Sequence, residues 1–64
     1  MNADLRKLLI RVTAVKLGCV VEQIDLRSSW VRLRREGKMI LVHLWRGISA
    51  ENIVSQMESY IQAA

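Results

Sequence analysis

The chain has 64 residues and a net charge of +4; more than half of its residues are hydrophobic, none is proline and one is cysteine. This length accommodates one domain, near the lower size at which a core alone offsets the entropy of folding, and the composition excludes a disordered tail. The lone Cys19 excludes an internal disulfide, and no run reaches the roughly 18 apolar residues of a membrane span, so a cytoplasmic protein is expected, with enough surplus apolar side chain to favour self-association.

From Ala3 to Leu17 the spacing of Leu5, Leu8, Leu9, Val12 and Val15 on one stripe predicts a helix. Asn2 is placed to cap it, Asp4 suits the positive end of its dipole, and Gly18 can end it in the left-handed conformation. Arg6, Lys7 and Arg11 are expected on its outer surface. The like-charged pair Lys7 and Arg11, one turn apart, reads either as a solvated face or as one that meets phosphates.

The segment from Cys19 to Arg27 admits two readings, a strand with Val20, Ile24 and Leu26 on one side or a loop with a short helical turn at Val21 to Ile24; the extended reading is preferred. The stretch LGCVVEQIDLRSSW resembles the end of the first helix and the following loop of acyl carrier proteins, over about a fifth of the chain. That family requires an Asp-Ser-Leu motif whose serine carries the phosphopantetheine arm. Nothing here supplies it, so the resemblance carries no function across and no cofactor is expected.

Trp30 to Arg34 alternates with period two, Arg35-Glu36-Gly37 reads as a turn, and the run KMILVHLW continues to Arg46 and Gly47, which predicts a β-hairpin. The run has no obvious solvent face, because its residues are apolar on both sides apart from His43. Two registers compete. A two- or four-residue loop sets Val31 and Leu33 with Ile40, Val42 and Leu44, and leaves Trp30, Arg32 and Arg34 beside Met39, Leu41, His43 and Trp45. A three-residue loop with Gly37 in a bulge reverses the faces of the second strand. The first gives the cleaner aliphatic core, and its four-residue form spares Glu36 a strained turn position.

After Gly47, Ser49 can cap a second helix, Glu51 lies in its first turn, and Ile48 and Ile53 hold the two positions of a hydrophobic staple. Ile53, Met57, Tyr60, Ile61 and Ala64 share a stripe expected in the core, with Glu51, Ser55, Glu58 and Gln62 outward. The predicted class is therefore α+β, a single domain over residues 1–64 built as helix, short extended segment, β-hairpin and helix, with a two- or three-stranded antiparallel sheet. This order is similar to that of small phage head-to-tail joining proteins, in arrangement rather than in residues. Two helices on one sheet face would leave the other face open, to be covered by a second copy or a partner; one helix on each face is the alternative.

Enzyme chemistry is poorly provided for. Cys19 and His43 are too few for a zinc site, and pairing His43 with Cys19, Ser28, Ser29, Ser49, Ser55 or Ser59 would come without a nucleophile elbow or an oxyanion loop. No catalytic, metal-binding or cofactor-binding residue is assigned, and His43 reads as a packed or hydrogen-bonded strand residue. The three isolated glycines cradle no phosphate and fit turns or caps.

Charge is unevenly spread: residues 1–46 hold all ten Lys and Arg against Asp4, Glu22, Asp25 and Glu36, a net +6, while residues 47–64 hold only Glu51 and Glu58, a net −2. The leading expectation is a non-enzymatic protein-interaction module, a dimeric adaptor or regulator whose hairpin face uses Trp30, Met39, Leu41, His43 and Trp45 with an arginine rim. Its rival is a nucleic-acid-binding regulator that meets phosphates through Lys7, Arg11, Arg32, Arg34, Arg35, Lys38 and Arg46. Neither reading calls for a membrane or a small-molecule substrate.

Overall fold

The structure, a computed structural model, describes residues 2–64. Helix α1 (Ala3–Lys16), strands β1 (Val20–Asp25), β2 (Trp30–Arg35) and β3 (Lys38–His43), and helix α2 (Ala50–Ala63) follow in chain order. The strands form one antiparallel sheet in the order β1-β2-β3, with α1 packed on β1, α2 on β3, and the two helices against each other. This is the expected α+β arrangement, with the segment after α1 recruited as a third strand.

The hairpin adopts the register that favours an aliphatic core. Val31 opposes Val42 and Leu33 opposes Ile40 on the helix side, while Trp30 opposes His43, Arg32 opposes Leu41 and Arg34 opposes Met39 on the other. The loop, however, has two residues rather than the preferred four. Arg35 pairs with Lys38, and Glu36 (φ 51°) and Gly37 (φ 78°) both take left-handed conformations. Such a turn matches the right-handed twist of its strands, and glycine fills the second position without steric penalty, so the strain rests on Glu36 alone. The strand also stops at His43 rather than running on to Arg46. Leu44 still donates its N–H to the Ser29 carbonyl (2.8 Å), and the chain then folds into a turn in which Ile48 N–H reaches the Trp45 carbonyl (3.2 Å).

In β1 a bulge at Glu22 resets the alternation. Val21 and Ile24 therefore face the helices, opposite Leu33 and Val31, whereas Val20, Gln23 and Asp25 lie on the other face opposite Arg34, Arg32 and Trp30. The expectation that Val20 shares a side with Ile24 is corrected by this one extra residue.

The larger correction concerns α1. Its caps form as expected: Asn2 Oδ1 accepts from Leu5 N–H (2.8 Å), and beyond the C-terminus Cys19 N–H bonds to the Ala14 carbonyl (2.8 Å) and Gly18 N–H to that of Val15 (3.1 Å). The buried residues are nevertheless Ile10, Thr13 and Ala14, with Leu9 and Leu17 half-buried, while Leu5, Leu8, Val12 and Val15 are exposed. The short connection explains the rotation. Only Leu17, Gly18 and Cys19 separate α1 from β1, and Leu17 and Cys19 both reach the core. Residues three, four, seven and eleven positions before Leu17 share its side, which brings Ala14, Thr13, Ile10 and Arg6 inward. Arg6, expected outside, is accordingly half-buried.

Helix α2 behaves as its pattern predicts. Ser49 Oγ accepts from Asn52 N–H (3.3 Å), Ile48 is buried along with Ile53, Met57 and Ile61, and Glu51, Ser55, Glu58 and Gln62 face outward. Tyr60 is partly buried against the core, whereas Ala64 lies beyond the helix and is exposed.

Candidate interaction surface

The face of the sheet away from the helices is built by the alternate residues of all three strands. β1 contributes Val20, Gln23 and Asp25, β2 contributes Trp30, Arg32 and Arg34, and β3 contributes Met39, Leu41 and His43. Four of these are large exposed hydrophobics: Val20 (65 %), Met39 (58 %), Leu41 (48 %) and Trp30 (43 %). A strand that is apolar on both faces normally has both covered. Here β3 has one covered face, which answers the question its sequence poses.

Several contacts hold the open face in shape. The Trp30 indole lies against the His43 imidazole across the strand pair, with ring centroids 5.0 Å apart and planes tilted by 45°. The His43 carbonyl accepts from Gln56 Nε2 on α2 (3.2 Å), which ties the end of β3 to the helix layer. Arg34 forms an ion pair with Glu22, so the bulge residue occupies one of the two central arginines. At the end of β1 the Asp25 carboxylate accepts from the N–H groups of Ser28 (3.2 Å) and Arg27 (3.1 Å). The hydrogen bonds from Ser28 are the main reason that the Asp25 carboxyl is held below its usual range, with smaller help from Arg27. Gln23, Asp25, Ser28, Trp30, Arg32 and Leu41 together border a shallow depression of about 130 Å³.

Of the five expected interface residues, Trp30, Met39, Leu41 and His43 share this face, while Trp45, 42 % exposed, lies beyond the paired residues of β3, where the chain enters its turn. Val20 and Gln23 were missed because only the bulge brings them here. The seven expected phosphate contacts are dispersed. Arg32 and Arg34 are on the open face, Lys7 and Arg11 are on α1 across the sheet, and Arg46 is in the β3–α2 turn. Arg35 and Lys38 line a cleft with Ile61 and Gln62 at the C-terminal end of α2, where they complement a helix dipole that has no basic residue in its own last turn.

Cys19 is buried and unbonded to another cysteine, and burial pushes its thiol up, against a weaker opposing pull from Arg35; it packs as a small hydrophobe. Neither a family model, nor a curated protein, nor a solved structure matches this chain.

Proposed function

We propose that the protein is a non-enzymatic interaction module that docks a partner protein on the open face of its sheet. The observation that carries this reading is the concentration of Val20, Trp30, Met39 and Leu41 on the sheet face opposite both helices. Exposed apolar side chains so grouped, with arginines among them, have the composition of a contact surface. Charge supports one occupant over the other. Among the described residues no carboxylate is bonded to Arg32 on the central strand, and a second copy whose two-fold axis passed near the middle of this face would set Arg32 close to its own counterpart. A partner with an apolar patch bordered by carboxylates meets the same face without that repulsion.

The experiment is photo-crosslinking in the cells that make the protein, with the crosslinker at position 41 and, as a reference, at position 12 on the exposed side of α1. The reading expects one defined adduct from position 41 that Arg32→Glu abolishes, and that proves to be a different, acidic protein. No adduct from position 41, equal adducts from both positions, or an adduct of the chain with itself would each contradict it.

Nucleic acid is the second reading, favoured by one pairing: a half-exposed indole at Trp30 beside the free guanidinium of Arg32, suited to stacking on a base while holding a phosphate. A salt titration decides it. Steep loss of single-strand binding as salt rises would support this reading, and no binding at low salt would remove it.

A further inference from the structure

We infer that the cleft between the first turn of α1 and the loops β1–β2 and β3–α2 binds a phosphate group. Arg6, Arg27 and Arg46 line it together with Ala3, Leu26 and Ser29, around a volume of about 520 Å³. Three segments far apart in sequence each bring one guanidinium to this place, and among the described residues none of the three is in an ion pair, since the salt bridge present joins Arg34 to Glu22. The carboxylate next along the chain, Asp25, is engaged by the N–H groups of its own loop.

Arg6 is the anchor. The rotation of α1 that exposes its leucines turns Arg6 inward, where its Nη2 reaches the Trp45 carbonyl at 3.4 Å and its Nε–H is sealed from solvent without an acceptor. The sealed Nε–H is closed to a ligand as it is to water, so the outer Nη groups of the fork are the ones a ligand oxygen in the cleft meets. Three guanidinium groups suit the three terminal oxygens of a phosphate monoester better than the two of a carboxylate, because each planar fork can take an oxygen pair. Ala3 and Leu26 offer apolar wall beside the guanidinium groups, so the ligand class is a phosphate carried by an organic group such as a nucleoside. This site is separate from the open sheet face and does not depend on it.

The test is a titration of the full chain labelled with nitrogen-15, following the Nε–H resonances of the arginines. The probes are inorganic phosphate, adenosine monophosphate, acetate, and an oligonucleotide without terminal phosphates. Saturable shifts at Arg6, Arg27 and Arg46 with adenosine monophosphate, weaker with inorganic phosphate and absent with acetate, are the expected result. Arg27→Ala and Arg46→Ala, both at loop positions, should each weaken binding about tenfold, the loss of one charge-assisted hydrogen bond. Lys16→Ala, which removes the same charge from the far end of α1, should leave it unchanged. Tighter binding of the oligonucleotide than of adenosine monophosphate, lost in the same two variants, would overturn the assignment to a phosphate monoester, because each internal phosphodiester has two free oxygens rather than three. No saturable shift with any phosphate, or an equal loss in Lys16→Ala, would overturn the site and reduce it to a diffuse positive field.

Discussion

The two faces of the sheet are made by the same three strands and differ in what they do. The helix-side residues Val31, Leu33, Ile40 and Val42 are all aliphatic and at most 6 % exposed, whereas across the same strands Met39 and Leu41 remain about half exposed among arginines. Burial on one side and exposure on the other means that β3 stabilises the fold through every second residue only. The remaining apolar residues do little for the monomer, and that is the physical basis for assigning them to a contact.

Truncations on the two faces are the sharpest way to break this comparison. Leu33→Ala, which empties a fully buried site, should cost about 2–5 kcal/mol, a large part of the stability of so small a domain, while Leu41→Ala should change it by no more than about 0.5 kcal/mol; denaturant unfolding measures both. Comparable losses at the two sites would mean that the open face is covered in the free protein.

Helix α1 repeats the contrast. Ala14 lies at the centre of its buried side, so Ala14→Leu should cost roughly 1–3 kcal/mol by overpacking, whereas Val15→Ala, one residue on and 74 % exposed, should be nearly neutral in the same assay. The opposite ranking would show that α1 is rotated to bury its leucines. At the hairpin, Glu36→Asn replaces the strained residue with one that tolerates the left-handed region, and a gain of about 1 kcal/mol is expected in the midpoint of thermal unfolding converted to free energy.

The smallest effect is at Asp25. Its carboxyl is depressed by the N–H and hydroxyl of Ser28, so the stability it contributes is present above the ordinary carboxylate range and lost as pH falls through the lowered folded value. The stability gap between the natural chain and Asp25→Ala should therefore be constant near neutrality and close in acid. A gap that widened on acidification would contradict the turn geometry.

Much of this layout is legible from the residues. Ser49 and the staple of Ile48 and Ile53 mark α2 because local capping and a single apolar stripe agree, and Val31, Leu33, Ile40 and Val42 specify the hairpin register because only one pairing gathers them. Three features escape such reading. The phase of α1 is set by the connection through Leu17 and Cys19 and not by its most apolar stripe. The adjacent valines at 20 and 21 fit either face until the bulge at Glu22 chooses one, and Glu36 accepts strain so that the strands can pair up to Arg35 and Lys38. Each is a tertiary decision that overrides a local preference. The same rotation of α1 hid Arg6, whose neighbours Lys7 and Arg11 on the helix had made it look like one more surface cation.

The most direct test of the account is the affinity of the crosslinked partner, once purified, for Leu41→Asp and for Leu8→Asp. Both replace exposed leucines and should fold. Assignment of function to the sheet face requires that Leu41→Asp weaken binding at least about tenfold, as expected for losing a central apolar anchor, while Leu8→Asp leaves it unchanged. Loss of binding in Leu8→Asp with Leu41→Asp unaffected would place the partner on α1 and contradict the account.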